Sequence, residues 1–388
     1  MTTSAISRPG QRERLSMKLP EIDWRLALAL CCIAGVGALM LYSCASPTPL
    51  SWKPWAGQHL MRFGVCFFLM LVLSLIDIRV WFVFSYPLYV LALLLLIAVP
   101  VIGHEHLGAK RWLNFGPLSL QPSEIMKIGL VLALARFYHG VSAKDARLSF
   151  KLLIPVALIG VPTLLIAKQP DLGTAILIAA TGLAIMVLAG LTWRILVLGG
   201  LAGLVVAPAF VMFVMQPYQR DRIFTFLHPE QDPTGAGYHI LQAKIALGSG
   251  GFLGKGFGLG TQSQLNYLPE KHTDFIFATF AEEFGFVGCI ALLALYGLTI
   301  AIALRIASIS HSHFGRLSAA GVTATFALYV VINAAMVVGM APVVGVPMPL
   351  MSYGGTEMLT VMIGFGLVEA VRVHRYAEIT SGRGSLLL

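Results

Sequence analysis

The feature that most constrains this chain is a series of apolar runs, each about twenty residues long, joined mostly by short polar connections. A helix of that length spans about 30 Å, the hydrocarbon thickness of a bilayer. Runs near 25–44, 58–76, 81–101, 121–139, 150–167, 172–190, 194–215, 275–304, 318–338 and 350–372 give ten spans. Only 12% of the 388 residues are charged and 57% are hydrophobic, with a mean hydropathy of +0.81. Those values exclude a soluble globular domain. Backbone in lipid must satisfy its own hydrogen bonds, so the spans are read as helices. The expected fold is an all-α polytopic membrane protein.

Orientation follows from the basic residues. The N-terminal arginines, Arg79, the group Lys144, Arg147 and Lys151, and Arg194, Arg305, Arg316, Arg372 and Arg375 fall on one face of a ten-span arrangement. Such residues collect on the cytoplasmic side, which places both termini there. The organisation expected is a cytoplasmic tail over 1–24, one ten-helix transmembrane domain over 25–372 and a cytoplasmic tail over 373–388. The connection at 216–274, between spans seven and eight, is long and extracytoplasmic. The net charge of +9 then sets topology and meets anionic lipid rather than nucleic acid. The five cysteines lie in or beside apolar spans without metal-ligand spacing to histidine. They read as small apolar fillers, and no metal site is expected. The first apolar run follows a basic tail without a good cleavage site and reads as a retained helix.

Within the long connection, Tyr238 to Leu247 has helical period but is too short to span, so an interfacial or re-entrant helix is expected. Gly248 to Gly260 follows. Its Gly254-Lys255-Gly256 lacks the Ser or Thr of a phosphate-binding loop. The glycines admit two readings, a flexible turn or close backbone approach to a large ligand.

Four polar constellations stand where this topology brings them to the outer membrane boundary. The first is Arg111-Trp112 with Gln121-Pro122-Ser123-Glu124 and Lys127. Glu124 and Lys127 are three apart and share a helix face. They form an ion pair inside the bundle, or Lys127 and Arg111 hold a phosphate while Glu124 orients the lysine. In the second, Lys168-Gln169-Pro170-Asp171, the aspartate is a helix cap or one of several convergent acids. The third is Glu270-Lys271-His272-Thr273-Asp274, leading into a helix that carries Glu282 and Glu283. Asp274 either caps that helix or does chemistry. Glu282 and Glu283 are adjacent and face different directions, so they read as structural, at least one in a buried hydrogen-bond network. The fourth runs from Pro342 to Glu357. Its three prolines and Ser352-Tyr353-Gly354-Gly355 leave irregular backbone that must line a cavity or lie against protein. Acids and cations are costly in a membrane and mark function. The four together fit one outward-opening polar cavity for a charged lipid headgroup.

These motifs, in this order and at these intervals, resemble the SEDS family (shape, elongation, division and sporulation proteins) over essentially the whole chain after residue 20. The likeness rests on Ala109 to Trp112, Gln121 to Glu124 with Lys127, Gln169 to Gly173, Leu268 to Phe275 and Ser352 to Gly355. Gly235 to His239, Gln242 to Ala246, Gly258 to Ser263 and Val343 to Pro349 resemble the elongation branch rather than the division branch. Glu357 departs from the small polar residue usual in the family. The resemblance implies a peptidoglycan glycosyltransferase in the bacterial cytoplasmic (inner) membrane, polymerising lipid II on its outer face during cell elongation. It also implies a class B penicillin-binding protein as crosslinking partner, alongside other elongation proteins.

The implied roles follow that chemistry. Asp274, matching the family's essential aspartate, would be the general base for the acceptor hydroxyl. Lys127 and Arg111, with Arg220 or Arg222, would stabilise the departing undecaprenyl diphosphate. Glu124 and Asp171 would orient the cations or bind a divalent ion, magnesium or manganese, which the sequence does not require. Lys168, His272, Thr273, Ser352 and Tyr353 would complete substrate binding. Direct displacement would invert the donor carbon. Three readings compete: a lipid II flippase, a scaffold for the crosslinking partner and the division-specific polymerase of the same family. A transporter would hold its polar groups near the midplane between paired broken helices, and here they gather at the outer surface.

Overall fold

The computed structural model describes residues 18–45, 50–106, 109–115, 118–141, 150–201, 205, 215, 217–232, 235–268 and 270–379. The expected tails and the Lys144 and Arg147 pair lie largely outside these residues. So does most of the expected span at 194–215, of which 194–201 are helical. Helices coincide with the other nine runs: α1 (Trp24–Ser43), α2 (Ala56–Ser74), α3 (Ile78–Ile102), α4 (Pro122–His139), α5 (Leu153–Lys168) and α6 (Leu172–Leu188) in the first half. The long connection carries α7 (Pro217–Leu227), α8 (Ala236–Ser249) and α9 (Thr261–Gln264). The chain closes with α10 (Ile276–Ile309), α11 (His313–Val338) and α12 (Gly355–Val373). Among the described residues, five helices are long and apolar enough to cross a membrane: α1, α2, α3, α10 and α11.

Local chemistry sets several boundaries. The carboxylates of Asp23 and Asp77 accept from the N–H groups of Arg25 (3.2 Å) and Arg79 (2.8 Å), capping α1 and α3. Ser312 caps α11 at the Gly315 N–H, and Gly339 ends that helix in the left-handed region at φ 77°.

The regular structure among the described residues is helical, as expected, apart from one short sheet. Between α3 and α4 the chain forms a three-stranded antiparallel meander, β1 (His104–His106), β2 (Ala109–Phe115) and β3 (Leu118–Leu120). Leu113 stands opposite Leu120 and Phe115 opposite Leu118. The apolar run has ended at Gly103, and the backbone beyond it bonds across strands because no helix continues to pair it. Only Leu113, Asn114 and Phe115 alternate apolar and polar in sequence, so the period-two signal of a strand is short.

Helix α4 is the centre of the bundle. From Pro122 to Ala135 almost every residue is buried, as expected of a helix surrounded on all sides. At Gly129 an added Cβ would lie 3.2 Å from the Tyr89 Cα. Helices α3 and α4 therefore approach closely through a small residue, as membrane helices commonly do.

The short helix expected within the long connection is α8, which buries Ile240, Ala243 and Ala246. The glycine-rich stretch after it makes its close approach to the protein itself. Helix α10 breaks at Gly285 (φ 67°, ψ −165°), which frees backbone groups on both sides of the break. The loop satisfies them. The N–H groups of Lys255 and Gly256 donate to the carbonyls of Glu282 and Glu283, both at 3.0 Å. In return Phe286 and Val287 donate to the carbonyls of Gly251 (2.9 Å) and Phe252 (3.1 Å). A Cβ at Gly254 would lie 2.1 Å from the Glu283 carbonyl oxygen, so only glycine fits there. Both buried glutamates serve this network. Glu282 accepts from the Lys255 ammonium (2.6 Å), the Thr261 hydroxyl (2.9 Å) and the Gln262 N–H (3.2 Å). Glu283 accepts from the Gly258 N–H (3.1 Å) and the Ser43 hydroxyl. The loop wraps far enough around α10 to meet both carboxylates.

Candidate active-site cavity

A cavity of about 480 Å³ opens where β2, the first turns of α4 and α6, the segment before α10, helix α11 and the 344–357 segment converge. Its wall carries Arg111, Glu124, Lys127, Asp171, Arg222, Thr273, Asp274 and Tyr353 from the expected set. Sequence positions far apart thus meet around one space, with charges of both signs.

Glu124 stands in the first turn of α4, behind Pro122, where the helix dipole favours a carboxylate. One turn further, the Lys127 ammonium donates to Glu124 Oε1 at 2.6 Å and to the Tyr329 hydroxyl. It also lies 4.6 Å from the centre of the Tyr329 ring, a cation–π contact. The expected ion pair is present, and its members face the cavity. Asp171 likewise joins its two readings. Its Oδ1 accepts from the Thr174 N–H (3.2 Å), capping α6, and lies 3.9 Å from Arg111 Nη1. Its Oδ2 accepts from the Gln121 amide at 3.3 Å. Arg111 Nε donates to the Gln169 carbonyl (3.3 Å), fastening β2 to the turn before α6.

Asp274 differs from both. The N-cap position of α10 is Phe275, with no side-chain capping bond, so Asp274 does not cap the helix. Its main chain is held: the Asn333 amide donates to the Asp274 carbonyl (2.9 Å) and to the Val346 carbonyl (2.8 Å). Its carboxylate accepts no hydrogen bond among the described residues. Burial and the nearby Glu270 carboxylate push it up to about 6, Arg222 opposes them, and Asp171 adds a smaller upward push.

The neighbouring motif is fastened through its backbone. Ser352 Oγ accepts from the Met348 N–H (2.8 Å) and donates to the Thr273 carbonyl (2.7 Å). The Tyr353 N–H donates to the His272 carbonyl at 2.8 Å. Ser352 is 2% exposed, with its hydroxyl engaged on both sides. The His272 ring stacks on Trp55 at 4.2 Å, and burial lowers its affinity for a proton. The cavity wall does not include His272, Ser352, Lys168 or Arg220.

Four residues in or behind the wall had not been singled out as site residues: Glu270, Tyr329, Glu357 and Asn333. Tyr329 and Asn333 stand four apart in an otherwise apolar span, and that spacing of polar groups was the available signal. Glu357, in the first turn of α12, lines the cavity, and its buried Oε1 has no hydrogen-bond partner among the described residues.

Residues 24–377 match the family model FtsW/RodA/SpoVE, described as cell cycle protein. The chain belongs to that family. Among the relatives is the peptidoglycan glycosyltransferase MrdB of Escherichia coli K12, 44% identical over 358 residues, covering 92% of this chain and 94% of that protein. The MrdB of Helicobacter pylori J99 is 37% identical over 325 residues, 81% of this chain and 82% of its own. Among solved structures, a chain from work on structural coordination of polymerization and crosslinking by a peptidoglycan synthase complex superposes with a TM-score of 0.78. It is 33% identical and covers 92% of this chain and 99% of its own length. The crystal structure of the rod shape determining protein RodA of Thermus thermophilus gives 0.68 at 30% identity, over 92% and 98%.

Proposed function

We propose that this family member is a peptidoglycan glycosyltransferase of the elongation type, polymerising lipid II, with Asp274 as its general base. The observation that carries the mechanism is the free carboxylate of Asp274 in a cavity that also holds Lys127, Arg111 and Arg222. The names of the relatives support the activity.

In this mechanism the acceptor sugar hydroxyl lies within hydrogen-bond reach of Asp274. As its oxygen bonds to the donor's anomeric carbon, its proton passes to the carboxylate. The bond from that carbon to the diphosphate breaks, and the electron pair leaves on the phosphate oxygen. Lys127 and Arg111, with Arg222, stabilise the charge that gathers there. Glu124 holds the lysine and Asp171 the arginine. The anomeric carbon inverts in one displacement. An aspartate pushed up to about 6 is ionised at neutral pH yet basic enough to share a proton in the transition state.

The architecture belongs to the same proposal: a single ten-span domain over 25–372, both termini cytoplasmic and the cavity facing the periplasm. A class B penicillin-binding protein crosslinks the strands it makes. The supporting work on a synthase complex concerns a homologous chain.

The test is polymerisation of labelled lipid II by the protein reconstituted with its partner, whose transpeptidase is blocked by a β-lactam. Glycan strands from the wild type and none from Asp274→Asn is the result expected. Strands from both would move the base elsewhere in the cavity. Strands from neither, with lipid II crossing the bilayer, would replace the enzyme by a flippase.

A further inference from the structure

The glycine loop that closes the break in α10 carries exposed apolar side chains. Phe252 is 76% exposed, Leu253 81% and Leu259 63%. No acid or base occurs from Gly250 to Gly254, and Lys255 is already paired with Glu282. Such residues at a loop tip need a partner.

Their depth can be read from α1. That helix is 20 residues long, about 30 Å, so its ends mark the two edges of the hydrocarbon. Its Ser43 end bonds to Glu283 on α10. Gly37, further down α1, packs on Leu350 and Met351. Tyr296, further along α10, donates to the carbonyl of adjacent Pro349 at 2.7 Å. The two helices therefore descend together from the level of Ser43 and Glu283. Phe286 and Val287 lie just past that level and are exposed, as is Ile290 below them. They form the outward strip of a membrane-crossing helix. The loop backbone at Gly251 and Phe252 bonds directly to Phe286 and Val287, and the Phe252 and Phe286 rings lie 5.7 Å apart. Within the loop, Phe257 stacks on Tyr42 at 6.4 Å, and Tyr42 meets Trp52 at 5.1 Å. Tyr and Trp gather where a bilayer meets water.

We propose that the Gly250–Gly260 loop re-enters the bilayer, with Phe252 and Leu253 placed among acyl chains of the leaflet at the Ser43 end of α1. The occupant of this face is lipid, because the tip continues the outward strip of α10 and is bordered by an aromatic belt. Backbone bonding explains how a loop survives at that depth: its tip groups pair with those that the break in α10 frees. The loop thereby ties the segment of α10 that follows Asp274 to the membrane surface. That last consequence rests on the proposed function; the insertion does not.

The experiment places a genetically encoded nitroxide amino acid at position 253 of the full-length protein, in vesicles of phosphatidylethanolamine and phosphatidylglycerol. Collision with oxygen, which concentrates in acyl chains, is compared with collision with a water-soluble nickel chelate. Position 287 serves as the lipid reference and position 230 as the water reference. An oxygen-to-nickel ratio severalfold above that at 230 and close to that at 287 is expected. A ratio like that at 230 would overturn the proposal. Low collision with both reagents would also overturn it, since protein would then cover the tip. The label occupies an exposed position that no packing contact requires, and the readout needs no enzymatic activity.

Discussion

Two acid-bearing regions border the same helix, and they are built in opposite ways. At the break in α10, Glu282 and Glu283 have hydrogen-bond donors at their carboxylates, and the loop pairs backbone groups on both sides of Gly285. In the cavity, Asp274 accepts no side-chain hydrogen bond among the described residues, and Glu357 leaves Oε1 unpaired. Burying polar groups costs free energy unless they are bonded. A network that is satisfied holds a fold together. One left open keeps its groups available for something that binds. Position in the sequence does not separate the two, since Asp274 and Glu283 are nine residues apart (283 − 274) in one stretch of chain.

The sharpest way to break this comparison is Asp274→Asn. Polymerisation should fall by about 10²–10⁴-fold, the usual worth of a general base, while the thermal midpoint in detergent stays level or rises. A matching fall in stability would make Asp274 structural. The same contrast sets a pH dependence. The carboxyl sits above its ordinary range, so its basic form is lost as pH falls through about 6, and the rate should drop on that side. A rate independent of pH between neutrality and pH 5 would remove Asp274 from the role.

Lys127→Met tests the region between the two extremes, because that lysine is both paired and in the cavity wall. Removing one partner of a buried ion pair costs about 3–5 kcal/mol. The variant should therefore lose both polymerisation and stability, and adding Glu124→Gln, which removes the carboxylate left unpaired, should recover part of the stability but not the polymerisation. Gly254→Ala tests the closed region. Its φ of +79° and the Glu283 carbonyl 2.1 Å from the new Cβ should lower stability by about 1–3 kcal/mol, with activity per folded molecule retained. An unchanged unfolding midpoint would show that the loop is not held as described. The smallest effect is expected of Asn333→Ala, which loosens two backbone tethers behind Asp274. About 1 kcal/mol of stability should go, with kcat reduced more than KM because the base is less well placed.

Much of the molecule could be read along the chain. Nine helices stand where apolar runs predict them, because lipid leaves the backbone no other local solution. The cavity's cations and three of its acids, Glu124, Asp171 and Asp274, were also legible, since charge beside a membrane span is rare enough to stand out. The strands at 104–120 were missed because a short alternating stretch between long apolar runs carries a weak signal. Tyr329 and Asn333 carry a signal in their spacing but no charge, and only the fold shows that they meet Lys127 and the Asp274 carbonyl.

The sequence by itself determined the solvent, the helices and the family, since these follow from apolar length and from motifs read in order. Only the tertiary structure decided which polar residues face a common space and which are spent on the fold. Asp274 does not cap its helix, while Ser352 and Glu283 are engaged with their neighbours. The physical reason is that a hydrogen-bond partner hundreds of residues away, such as Ser43 for Glu283, leaves no trace in local spacing. Whether a buried carboxylate is satisfied depends on what the fold brings beside it.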